Sequence, residues 1–149
     1  MTDELDALNA LHDTIVAHIN EYLPESLDDL SGTNVLIDFP DVDKMAARTM
    51  IYIQPDYAEF TGLTTSSDDT SFRVSVFVLN KRDTRENLTI QNFGYYAALT
   101  KMLRSNCDLD GAVAFVEIVD VNFYPAVEGN PNVRGAELSL SIKYEKEYD

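Results

Sequence analysis

The side chains that could do chemistry in this chain are few and scattered. His12 and His18 stand six residues apart in one amphipathic segment. That spacing turns them to different faces of a helix, so they do not form a two-histidine metal site. His12, beside the apolar stripe, reads as a boundary residue. Asp41-Val42-Asp43 and Asp68-Asp69 offer oxygen to a hard cation, but neither has the glycine and distal glutamate of an EF-hand calcium loop. Cys107 is the sole cysteine, which rules out an intrachain disulfide. In Ser105-Asn106-Cys107-Asp108 it has no basic neighbour beyond Arg104 to lower its pKa, and it reads as an incidental thiol. Phosphate-cradling glycine loops, nucleophile elbows and Cys-x-x-Cys pairs are absent from the sequence. Carboxylates are abundant, but without a cleft or a perturbed partner none is preferred as acid or base. No cofactor or metal is implied.

Charge says more than any motif. The 26 acidic and 11 basic residues leave a formal charge of −15 at pH 7. Such a surface repels phosphate and disfavours a tight grip on nucleic acid. It would suit a wall past which DNA slides, although keeping the protein soluble is the simpler role for the same charge. The start Thr2-Asp3-Glu4 is acidic where a signal peptide is basic, and no apolar run reaches membrane-spanning length. The expectation is a soluble, intracellular product without a membrane partner, in which Asn87-Leu88-Thr89 is a chance match to a glycosylation acceptor.

The elements that must position these groups form a regular series. With 149 residues and 45% hydrophobic content, one domain over residues 1–149 can bury a core without staples. Thr2 or Asp3 can cap a helix whose stripe runs Leu5, Leu8, Leu11, Ile15, Ile19 and Tyr22, until Pro24 stops it. Glu25 to Thr33 reads as a mobile loop. Val35 to Phe39, Thr49 to Ile53 and Ala58 to Leu63 read as short strands, the third pairing with the second, and Thr64 to Asp69 as a turn or mobile loop. In the next strand Phe72, Val74, Val76 and Val78 alternate with Arg73, Ser75, Phe77 and Leu79. Its second face is only partly polar, so one end of that face is covered.

Thr84 can cap a second helix that ends near Asn106, with Leu88, Tyr95, Leu99 and Met102 on one face and Tyr96 and Leu103 beside them. Two long strands close the chain, Val113 to Tyr124 after Gly111 and Arg134 to Glu145, joined by a hairpin through Glu128-Gly129-Asn130-Pro131-Asn132. In the last strand Ala136, Leu138, Leu140, Ile142 and Tyr144 alternate strictly with polar residues, the pattern of a strand with one face on a core and one in water. The reading is a two-layer α+β domain, a mainly antiparallel sheet packed with two helices, in the order α-β-β-β-β-α-β-β.

This layout resembles the tail terminator, or tail completion, proteins of long-tailed bacteriophages and prophages. The resemblance is carried by Phe72-Arg73-Val74-Ser75-Val76-Phe77-Val78, Asn92-Phe93-Gly94-Tyr95-Tyr96-Ala97-Ala98-Leu99 and Leu138-Ser139-Leu140-Ser141-Ile142-Lys143-Tyr144. It implies a structural virion-assembly protein and not an enzyme: a homo-oligomeric ring, usually sixfold, that caps the tail tube and joins tail to head. Its partners would be copies of itself, the tube protein and a head-completion or connector protein, with DNA passing through unbound. It would reside in the virion tail or neck after assembly in the host cytoplasm. Lys81, Arg82 and Arg85 are the one basic cluster, a candidate to meet carboxylates of the next subunit. Tyr57, Phe60, Phe123 and Tyr124 bring aromatic groups to strand ends where an interface would use them, with core packing as their ordinary role. Phe77 and Leu79 are expected to pack under the N-terminal helix, or else to meet a neighbouring subunit. The competing readings are a monomeric α+β ligand-binding or regulatory domain and another neck or minor tail component.

Overall fold

A computed structural model describes residues 2–62 and 64–147. Among these the chain forms two helices and a five-stranded sheet: α1 (Glu4–His18), β1 (Val35–Ile37), β2 (Thr49–Gly62), β3 (Ser67–Lys81), α2 (Arg85–Ser105), β4 (Phe115–Tyr124) and β5 (Val133–Glu147). The sheet order is β1-β2-β3-β5-β4. All pairs are antiparallel except β1 with β2, which makes the sheet mixed and the fold α+β.

The longest alternations become the sheet's centre. β3 and β5 pair along their whole lengths, from Ser67 opposite Glu147 to Lys81 opposite Val133. Val74, Val76 and Val78 on β3 and Leu138, Leu140 and Ile142 on β5 point to one face, where Ala7, Leu11 and Ile15 of α1 and Tyr95, Leu99 and Met102 of α2 close the core over them. The second face of β3 is covered at one end, but not by α1. Leu79 and Phe77 pack with Val42, Met45, Met50, Tyr52 and Val133, a small second core formed by the segment that leads into β2.

The helix starts follow the caps expected of them. The Asp3 carboxylate accepts from the Asp6 N–H at 2.8 Å while Asp6 accepts from the Asp3 N–H, satisfying donors that an uncapped first turn would leave open. Thr84 Oγ1 accepts from the Asn87 N–H at 3.3 Å at the head of α2. Leu5 stays 63% exposed, because the buried line of α1 runs through Ala7, Leu11 and Ile15 and Leu5 falls on its far side.

Four further boundaries differ from the sequence reading. Thr49 to Ile53 and Ala58 onward are two arms of one strand, β2, bent at a bulge between Pro55 and Tyr57; Leu63 lies outside the described residues. A proline is tolerated there because β1 reaches only to Ile53, so Pro55 needs no ladder hydrogen bond on that side. Ser67, Asp68 and Asp69 belong to β3, which leaves a much shorter turn. β1 ends at Ile37, and β4 starts at Phe115 after a turn in which Gly111 adopts φ +91°. Glu25 to Thr33, read as mobile, is tied down: Asn20 binds both the carbonyl and the N–H of Leu30 at 2.8 Å, and Tyr95 Oη donates to the Asp28 carbonyl at 2.9 Å.

Candidate assembly surfaces

The β4–β5 connection sets the first surface. Glu128 and Gly129 both take positive φ, 52° and 74°, between Val127 and Asn130, which bond to each other across the turn. This returns the chain so that β4 becomes the outer strand of the sheet, with no further strand among the described residues on its other edge, where the Val116 N–H donates to the Cys107 carbonyl. Opposite Ala136, Phe123 projects to the helix side and stacks on Phe93 of α2, with ring centroids 4.7 Å apart, while Tyr96 meets it edge-on at 5.1 Å. A buried aromatic trio would be core; this one is not. Phe93 and Phe123 remain 48% and 44% exposed, forming a shelf beside a pocket of about 140 Å³ lined in part by Tyr124, Pro125 and Arg134.

On the other side of the sheet Tyr124 Oη donates to Glu137 Oε1 at 2.5 Å, and Ser75 donates to Glu137 Oε2 at 3.1 Å. The bond to the carboxylate, then burial, then the charges of Glu137 and Asp120 push the Tyr124 phenol up to about 12. It is therefore a neutral donor across the physiological range.

A polar network holds α2 in place behind this shelf. Asn92, buried among the apolar residues of the α2 stripe, donates to the Val78 carbonyl at 2.9 Å and to Asn80 Oδ1 at 3.0 Å, and Asn80 donates to Thr49 Oγ1 at 2.8 Å. These bonds join α2, β3 and β2, so the helix that carries Phe93 is set rigidly against the strands.

The outer half of β2 is the second surface. Beyond Ile53 no strand among the described residues pairs with it on that side, and Tyr57 and Phe60 stand 47% and 48% exposed among Asp56 and Glu59. Lys146 sits over one face of the Phe60 ring at 5.4 Å and also pairs with Glu4 at 2.8 Å.

The predicted basic cluster divides. Lys81 Nζ donates to the carbonyls of Met45 at 3.0 Å and Val42 at 3.4 Å, holding the 42–45 segment against the sheet. Burial, with the charge of Arg82 next, holds its pKa below the ordinary lysine value. Lys81 is thus committed inside the fold. Arg82, at φ +67°, and Arg85 in the first turn of α2 are exposed, and their side chains make no hydrogen bond or ion pair among the described residues.

No protein-family model and no curated protein matches the sequence. Among solved structures the chain is similar to the sheath/tube terminator of an extracellular contractile injection system, PVC, in its extended state, with a TM-score of 0.48 and 12% identity over 100% of this chain. It spans 59% of that protein's length. It is also similar to a chain of the virion of a native gene transfer agent particle, with a TM-score of 0.44 and 14% identity over 92% of this chain and 98% of that one. The likeness is one of fold.

Of the seven residues singled out in the sequence, the structure gathers Phe123 and Tyr124 on the β4 strand, Tyr57 and Phe60 on β2, and Arg82 and Arg85 at the link between β3 and α2; Lys81 is used internally. Missed in that selection were Phe93 and Ile90, which are exposed on α2, and Phe115 and Val119 on β4. Their signal was present: Ile90 and Phe93 are apolar residues three apart, off the stripe defined by Leu88, Tyr95 and Leu99. The other chemistry-bearing residues serve the fold or the surface. His12 meets the Val35 carbonyl at 3.0 Å, His18 meets Asp110 at 3.0 Å, and Cys107 is exposed. Among the described residues no group of three or more His, Cys, Asp or Glu could hold a metal ion, and no helix is long and apolar enough to cross a membrane.

Proposed function

We propose that the chain is a tail terminator: a structural subunit that closes side by side with copies of itself into a ring, sixfold as in the family its sequence resembles, and caps a phage-type tail tube. One observation carries this reading. The structure exposes three different surfaces at separate places, the Phe93/Phe123 shelf, the free outer half of β2 with Tyr57 and Phe60, and the Arg82/Arg85 corner. A cyclic ring needs two unlike surfaces for its neighbours, and a ring seated on a tube needs another. Exposed aromatics and arginines are the residues that protein interfaces favour. Both outer strands also leave large apolar side chains exposed where natural sheets ordinarily place charge or cover.

In this reading the partners are the tube protein on one side and a head-completion or connector protein on the other, within the neck of a particle assembled in the host cytoplasm. The net charge of −15 supports a bore that DNA crosses without adhering. Electron microscopy of purified tail tubes mixed with the protein tests the role: rings at tube ends are expected, and bare ends at saturating protein would refute it. Tight binding to duplex DNA at physiological salt would contradict the non-adhesive bore.

A further inference from the structure

We propose that the Arg82/Arg85 corner of one copy docks on the free outer half of β2, Pro55 to Gly62, of the next copy. The inference rests on the self-association proposed above and names the two surfaces that meet. Charge selects the pair. The free part of β2 carries Asp56 and Glu59 and no basic residue, and β4, the other long outer strand, carries Glu117 and Asp120 and no basic residue. Pairing these two edges between copies would set carboxylate against carboxylate, which costs rather than stabilises.

The surface of opposite sign is the corner where β3 passes into α2. Arg82 and Arg85 are exposed there, and exposed Arg48 stands beside them, its carbonyl accepting from the Lys81 N–H at 2.9 Å. Of the carboxylates around it, Asp83 is already engaged by the Asn87 and Gln91 side chains and the Thr84 N–H, and neither Asp43, which lines one pocket with Arg82, nor Glu86, next to Arg85, forms an ion pair with either arginine among the described residues. The guanidinium groups are therefore left to an outside partner.

That partner cannot be the same chain. Tyr57 pairs with Arg73, and Arg82 lies nine residues further along, so the corner and the free half of β2 are roughly 30 Å apart at about 3.3 Å per residue. A contact between them joins two copies through unlike surfaces, the kind that can close a ring. It is a side-chain contact. Pro55 lacks an N–H and the bulge beside it breaks the ladder, so this stretch is poorly suited to accept an added strand. What it offers on the open face is Glu59 beside Tyr57, opposite Ser71 and Arg73, and an arginine can bind the carboxylate and stack on the ring, whereas Phe60, opposite the buried Thr70, turns to the helix side. The Phe60 ring already takes a cation, Lys146, on one side.

The test uses two charge-reversed full-length proteins, Arg82→Glu/Arg85→Glu and Asp56→Lys/Glu59→Lys, followed by light scattering over a wide concentration range at low salt. All four positions are exposed, and unchanged circular dichroism and denaturation midpoints would establish that both variants fold. Each variant alone should self-associate about tenfold or more weakly than wild type, because two attractive contacts become repulsive. Mixed in equal amounts the two should recover wild-type association, since each supplies the sign the other lacks, and 0.5 M salt should weaken every associating sample. Wild-type protein that associates while both variants associate equally well would overturn this choice of surfaces and leave the ring standing. Wild-type protein that stays monomeric at every concentration would overturn both.

Discussion

The two faces of the central strands β3 and β5 are built from alternate residues of the same segments, yet they do different work. On the helix side Val74, Val76, Val78, Leu138, Leu140 and Ile142 are all but fully buried under α1 and α2. On the other side Arg73, Ser75, Ser139 and Lys143 remain partly exposed, although Ser141 between them is buried, and the end near Leu79 gains a cover from the 42–50 segment. The helix face holds a subunit together. The outer strands, the open face and the outward side of α2 carry the exposed aromatic and charged groups instead, among them Tyr57, Phe93, Phe123 and Arg85.

Substitutions should separate the two sides by size of effect. Leu99 is fully buried between α2 and the sheet, so Leu99→Ala should cost about 2 to 5 kcal/mol in chemical denaturation, from lost burial plus the cavity left behind. A cost below about 1 kcal/mol would mean that the face does not carry the stability assigned to it. Asn92→Ala removes the donor shared by Val78 and Asn80 and should cost about 1 to 3 kcal/mol, since buried acceptors lose their partner.

On the open side the effects shrink. Tyr124→Phe should cost less than about 1 kcal/mol near neutral pH, because the bond to Glu137 lies at a partly exposed edge. Its signature is in the alkaline range. The folded phenol holds its proton up to about 12, against an ordinary value near 10, so its contribution is fully present below pH 10 and is lost as pH rises toward 12. Wild type should therefore lose more stability than Tyr124→Phe across that interval, and parallel losses would show that the bond is not formed in solution. The smallest effect belongs to Ser139→Ala, within about 0.5 kcal/mol, although its chain neighbour Leu138 is fully buried.

Local pattern accounts for what could be read in advance. The strict alternation from Ala136 to Tyr144 placed β5 correctly because its period depends only on which face meets the core. The caps at Asp3 and Thr84 were legible because a cap bonds within its own turn. What escaped depends on residues far apart in sequence. Pro55 reads as a strand breaker, and only the shortness of β1 makes it harmless inside β2. Glu25 to Thr33 reads as a loose loop, but Tyr95 reaches the Asp28 carbonyl from 67 residues away. Asn92 breaks the apolar stripe of α2, and its reason appears only when Val78 and Asn80 lie beneath it. Phe123 could be suspected as an interface residue; that Phe93 stacks on it to form a shelf could not, since nothing local links a helix face to an outer strand.

The division of labour between the faces has its most direct test in the mass of the wild-type protein, measured by light scattering from dilute to concentrated solution and again with tail-tube ends present. Because small interfaces obey mass action, the expected result is a monomer at low concentration that passes to a single closed oligomer at high concentration or on tubes, with no change in fold. A mass that stays monomeric throughout, with and without tubes, would contradict it.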